Sequence, residues 1–237
     1  FTVENPTKAL SVNFGGDMIL NAEDNTPMCS PSVTILGKLS VGGDLSMQSA
    51  SLSMYFYNRS YVAQTLTVKG DVLMSAATLA DGTPDVVSRI SVAGAMSANS
   101  LTLCDASTID LYGTTSSSLS LTGKTATSLI QEQSLVNVSG NMNVEGNLTL
   151  KDSSINLDTS YGLKPKAMNM TVKGALDVSG KKDDETSSIF INGKLSAGSV
   201  QMSNGASLCA EQDIALTNKN ATNTLTSSNM YGSNVSV

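Results

Sequence analysis

Residues 136–157 read VNVSGNMNVEGNLTLKDSSINL. From Val136 to Leu150 every second position is apolar or glycine: Val136, Val138, Gly140, Met142, Val144, Gly146, Leu148 and Leu150. A polar turn follows (Lys151, Asp152, Ser153, Ser154), and Ile155 and Leu157 resume the alternation. Period two marks a strand with one face buried, not the 3.6-residue stripe of a helix. Within the buried row sits a nine-residue unit with two apolar positions on either side of a central glycine.

That unit recurs. It lies at residues 39–47 around Gly43, 66–74 around Gly70, and 90–98 around Gly94. It returns at 136–144 around Gly140, 170–178 around Gly174, and 189–197 around Gly193. Looser copies begin at Leu10 and Leu119. Successive units start about 26 residues apart, the scale of one turn of a solenoid. A shorter apolar pair follows most of them, such as Leu52 and Met54 or Leu101 and Leu103. Three short strands per repeat predict one coil of a parallel β-solenoid, with inward Leu, Val, Ile and Met stacking from coil to coil. Each glycine is read as the corner where the chain bends between sheets and a side chain would crowd the interior.

The expectation is all-β: a right-handed parallel β-helix of about nine irregular coils, one domain over residues 1–237, roughly 45 Å long. Its inward residues include Val41, Leu45, Val68, Val72, Val92, Val138, Val144, Val172, Leu176 and Ile191. Met18, Met47, Met74, Met96 and Met142 fall in the same row, adaptable filler for an uneven core. A pair of antiparallel β-sandwiches is the other fold with short strands and frequent turns, but it has no role for a recurring inward glycine. Variable spacing between units predicts insertions at 21–31, 55–63, 80–88, 158–166 and 180–188, which stand out from the rod. Pro27, Pro31, Pro84 and Pro165 all fall in these, outside the strand ladders, where a missing N–H costs nothing.

Units such as Leu39-Ser-Val-Gly-Gly-Asp-Leu-Ser-Met47 and Leu66-Thr-Val-Lys-Gly-Asp-Val-Leu-Met74 resemble the repeats of bacterial autotransporter-type passenger domains and related β-helical adhesins. The resemblance spans residues 10 to about 216 and is one of repeat pattern. It implies a right-handed β-helix displayed at a bacterial cell surface, and it carries over no catalytic residue.

Composition narrows the function classes. Charged residues are 14% of the chain, while 36 Ser, 23 Thr and 19 Asn supply a neutral polar surface. A net charge of −6, with 14 basic residues scattered singly, argues against nucleic acid as a partner. Histidine is absent, so there is no imidazole base, no Ser-His or Cys-His pair and no His-ligated metal. No apolar run approaches the length of a membrane span. Phe1 at the start, and alternation still running through Val235 and Val237, read as a mature or excised piece of a longer repetitive surface protein. Cys104 and Cys209 each follow a strand leucine and are read as equivalent positions in different coils, near 19 Å apart. Since a disulfide needs Cα atoms within about 7 Å, none is expected within the chain.

Motif fragments are sparse. Gly123-Lys124-Thr125 resembles the end of a phosphate loop but lacks its leading glycine and its helix. Ser179-Gly-Lys-Lys182 has the spacing of Ser-Lys hydrolases without the helix that chemistry needs. Gly-Gly-Asp at residues 15–17 and 42–44 lacks the tandem run of calcium-binding repeats. Asp71, Glu145 and Asp177 are the carboxylates a glycan-cleaving site would draw on, with nothing to pair them.

No catalytic residue, metal site or cofactor is therefore assigned. The expected function is a non-enzymatic extracellular or cell-surface segment, structural or adhesive, presenting loops to a protein or glycan, or to further copies of itself. A self-assembling filament, sheath or fibre subunit and a glycan-degrading β-helix enzyme are the alternatives. The candidate contact surface is the stretch Tyr55-Phe-Tyr-Asn-Arg-Ser-Tyr61, where Tyr55, Tyr57, Arg59 and Tyr61 combine aromatic area with a guanidinium.

Overall fold

The structure, a computed structural model, describes residues 2–3, 10–22, 30–55, 64–77, 86–113, 117–124, 127–158, 167–180, 187–226 and, for the backbone, 229–236. The chain winds as a right-handed parallel β-helix without helices among the described residues. Each coil supplies three strands to three stacked faces, which we call leading, middle and trailing. In the second coil these are Ser32–Ile35, Gly37–Val41 and Leu45–Gln48; in the sixth, Leu135–Val138, Gly140–Val144 and Asn147–Lys151. Nine coils carry all three strands, and Asn229–Ser236 begins a tenth by pairing in parallel with Ser207–Leu216.

Why alternation suffices to build this is clear from the registers. Down the middle face Val12, Leu39, Leu66, Met96, Leu119, Met142, Met170, Leu195 and Ile214 occupy one row. Every inward residue expected from the alternation is buried, as are the five row methionines. Like stacks on like, and period two keeps each row pointing inward without any helix to cover it. The coils are 19 to 30 residues long on this row.

The glycine unit proves to serve two different corners. Gly43, Gly70 and Gly174 lie between middle and trailing strands, whereas Gly94, Gly140 and Gly193 lie between leading and middle strands. Unit starts therefore do not count coils one for one. The reason for glycine also differs from interior crowding. At the leading–middle corner a Cβ on Gly140 would land on the carbonyl oxygen of Ser117 in the coil before. At the other corner a Cβ on Gly43 would land on the Asp17 carboxylate, which has reached up to accept the Asp44 N–H at 2.9 Å. Asp44 repeats the device on the Asp71 N–H at 2.8 Å, and Asn147 on the Ala175 N–H at 2.8 Å. The Gly-Asp pairs are thus an interlock: glycine leaves the gap that the preceding coil's side chain fills.

The trailing–leading corner is built otherwise. All the non-glycine residues with positive φ among those described lie at this corner: Ser49, Asp105, Ala106, Gln133, Asp152 and Asn204. This left-handed conformation costs an L-residue roughly 1–2 kcal/mol. It is held by ladder bonds between coils, such as Gln133 N–H to the Lys151 carbonyl at 3.0 Å and Asp152 N–H to the Ser179 carbonyl at 3.1 Å. Just past the turn runs a buried row of small residues: Ala50, Ser88, Ser107, Ser134, Ser153, Ser187 and Ala206. Their hydroxyls are satisfied locally. Ser153 Oγ accepts the Ser134 N–H at 3.2 Å and donates to the Lys151 carbonyl at 2.7 Å. A sequence signal for this row exists, a serine two residues before the first inward residue of five leading strands, as in Ser88-Arg-Ile, Ser107-Thr-Ile and Ser153-Ser-Ile.

Cys104 and Cys209 are free, and they are not equivalent positions. Cys104 follows a trailing strand at the corner, and Cys209 stands in a leading strand opposite Phe190. A leucine before each was a coincidence of alternation. Cys29 lies outside the described residues.

Candidate binding face

The connections between strands are not distributed evenly. At the middle–trailing corner five coils need only two or three residues, for instance 15–17, 42–44 and 69–71. The five connections of eight residues or more are at the other two corners, and the longest at this one is the ninth coil's 217–223. Residues 55–63 and 158–169 join leading to middle strands; 22–31, 76–88 and 180–187 join trailing to leading strands. All five predicted insertions therefore attach along the two edges of the leading face. Where the interlock closes that turn, in the second, third and seventh coils, the coil before it fills the gap and leaves no room for extra chain.

Tyr55 ends the leading side of the third coil and is 38% exposed. Tyr57, Arg59 and Tyr61 lie outside the described residues, as do Asp183, Asp184 and Glu185. The leading face itself carries a feature the sequence reading missed. Arg89, Asp110, Asn137 and Asn156 belong to successive coils. The Arg89 guanidinium pairs with the Asp110 carboxylate, and its Nε donates to Ser91 Oγ at 3.1 Å. Asn137 Nδ2 donates to Asp110 Oδ1 at 2.7 Å, and Asn156 Nδ2 donates to Asn137 Oδ1 at 3.1 Å. The row ends beside Phe190, in register with Asn156. The strip runs through the fourth to seventh coils, between the insertions of the third and those of the seventh.

Chemically this strip is suited to recognition by hydrogen bonding. Asp110 accepts from both Arg89 and Asn137, and the two asparagine amides offer both donors and acceptors. The ion pair sits on the surface, with Arg89 58% exposed, and such pairs contribute about 0–1 kcal/mol. Its value is orientation: the row is held in one geometry before anything binds.

The remaining candidates are placed as follows. Asp71 and Glu145 stand at the middle–trailing corner three coils apart, about 14 Å, while Asp177 points outward from the trailing face. Glu145 is paired with Lys173 at 2.8 Å. Gly123 continues a strand ladder, its N–H bonded to the Asn99 carbonyl at 2.7 Å, and Ser179 ends a strand. A recess of about 170 Å³ at the trailing–leading corner is lined by Asp105, Glu132, Gln133, Lys151 and Asp152. Burial, then Asp105 and Glu132, push the neighbouring Cys104 thiol up, away from the reactive thiolate. Among the described residues no three His, Cys, Asp or Glu are grouped to hold a metal ion.

Asp71 reports on the interlock through pH. Its carboxyl is held below the usual 3.8, first by the Ser100 hydroxyl and then by the Asn99 amide, both at 2.7 Å, with burial opposing. A folded-state pKa below the unfolded one adds stability above the unfolded value, and loses it as pH falls through the folded value. The wild-type chain should therefore exceed Asp71→Asn in urea midpoint at pH 7, with the gap closing below pH 3.8. A gap of constant size down to pH 2 would mean the charge contributes nothing.

No family model, no curated protein and no solved structure matches this chain.

Proposed function

We propose that this chain is a structural and adhesive rod that acts outside the cell, holding binding loops along the edges of one β-helical face. The observation that carries this reading is that the five connections of eight residues or more lie at the two corners that border the leading face. A rod whose only task was mechanical would gain nothing from sorting its insertions by side. The coils beneath them are closed by short turns and ladder bonds, so loop sequences can vary without disturbing the core. The partner is a protein or glycan at a cell surface, met by aromatic and cationic loop residues and by the hydrogen-bonding strip between the loops. Hydroxyl-rich faces alone offer bonds that water satisfies equally well.

The test is the triple substitution Tyr57→Ser, Arg59→Ser and Tyr61→Ser. Beads coated with the variant should lose attachment to cell surfaces and immobilised glycans that the parent binds. Its unfolding free energy should stay within about 0.5 kcal/mol of the parent, as for surface changes generally. Retained attachment would move the contact elsewhere. A loss of several kcal/mol would show that the residues cover the core, and the reading of that loop as a contact surface would be abandoned.

A further inference from the structure

The trailing face offers a surface of another kind, bounded along one edge by the connections 22–31, 76–88 and 180–187. Its outward row runs Ile19, Ser46, Leu73, Thr102, Ile130 and Thr149 through the first six coils. Ile19, Leu73 and Ile130 are 66%, 47% and 38% exposed, three of the six large apolar side chains in contact with solvent among the described residues. They stand in the first, third and fifth coils, and a short hydroxyl residue separates each from the next. The face is therefore ridged, with apolar knobs every second coil and hollows between them, at a period of about 9.6 Å.

Such a relief is complementary to itself. We infer that the trailing face pairs with the trailing face of a second copy of this chain, the two rods running antiparallel. A two-fold axis lying between the faces, parallel to the strands and passing between the third and fourth coils, keeps each row opposite itself and reverses the coil order. Leu73 then meets Thr102 of the second copy, Ile19 meets Thr149, and Ile130 meets Ser46. All three knobs of each copy enter hollows at once, as an isologous interface requires. Sliding one coil one way sets Leu73 on Leu73 and Ile19 on Ile130; sliding the other way sets Ile19 on Asp177. Only the central register fits.

Charge agrees with that register. The next outward row carries Glu132 and Lys151 in the fifth and sixth coils, which fall opposite Gln48 and Asn21 of the second copy. In that row no like charges meet. Six coils of four-residue strands give a footprint of about 380 Å² per copy, about 760 Å² in total and below the range of stable specific interfaces, so the pairing is weak, reversible and concentration-dependent. The arrangement leaves both leading faces turned outward.

The experiment is sedimentation equilibrium of the purified chain from about 10 µM to about 1 mM, where low-area interfaces populate. The parent should pass from monomer to dimer, and Leu73→Asp should raise the dissociation constant at least about tenfold, the carboxylate being presented twice per dimer. Register is read with a thiol-specific bifunctional cross-linker that spans about 10 Å, the spacing of facing sheets, in a chain with Cys29, Cys104 and Cys209 replaced by serine. An Ile19→Cys variant mixed with a Thr149→Cys variant should give cross-linked dimers, and neither variant alone should, because like positions are about five coils apart. A monomer throughout, a dimer indifferent to Leu73→Asp, or cross-linking by the single variants alone would each overturn the inference.

Discussion

Val138→Asp is expected to yield a chain with no cooperative unfolding transition and no native β signal in far-UV circular dichroism. Val138 is fully buried in the leading strand Leu135–Val138, in register with Leu111 of the coil before. Its neighbours in the interior are aliphatic, with no donor to meet a carboxylate. Burying an unpaired charge there costs more than a domain's usual net stability of about 5–15 kcal/mol, unless the side chain is neutralised or the coil opens. Opening one coil exposes the rows above and below it, since each coil packs only on its neighbours. The control is Asn143→Asp, five residues on and exposed on the middle face, which should stay within about 0.5 kcal/mol of the parent. If Val138→Asp folds as the parent does, residue 138 does not face the interior and the inward register of the leading face is wrong.

The second large effect separates glycines that look alike in sequence. Gly140→Ala should destabilise the chain by several kcal/mol, because the new methyl would occupy the space of the Ser117 carbonyl oxygen. That atom belongs to the backbone of the preceding coil and cannot swing aside. The coils must separate locally, and the strand pairing of Gly140–Val144 with Ser117–Leu121 weakens with them. Gly16→Ala, at the glycine of the looser copy that begins at Leu10, meets nothing within 4 Å and should be nearly neutral. Urea denaturation of the two variants side by side decides the matter. Equal effects would show that glycine acts through chain flexibility and not through contact between coils.

The difference between these two glycines marks how far the sequence can be read. Alternation is a local property, and it identified the inward rows down to individual residues: Val41, Val92, Leu176 and Ile191 are where period two puts them. The solenoid followed, because repeats of three short strands have few other ways to bury one face each. The insertions were legible too, since they interrupt the alternation with proline and with runs of polar residues.

What stayed hidden depends on atoms some 25 residues away in the chain. Whether a glycine turns the leading–middle or the middle–trailing corner cannot be read from the nine residues around it. It is decided by which atom of the coil before, a carbonyl or an Asp side chain, fills the missing Cβ position. For the same reason Cys104 and Cys209 looked equivalent and were not, and the row Arg89, Asp110, Asn137 and Asn156 could not be seen. Their spacings of 21, 27 and 19 residues share no period. The sequence by itself determined which side chains face inward, because that is a matter of parity along one strand. Only the tertiary structure decided which outward side chains are neighbours, because each coil's length, set by its turns, shifts the register of everything after it.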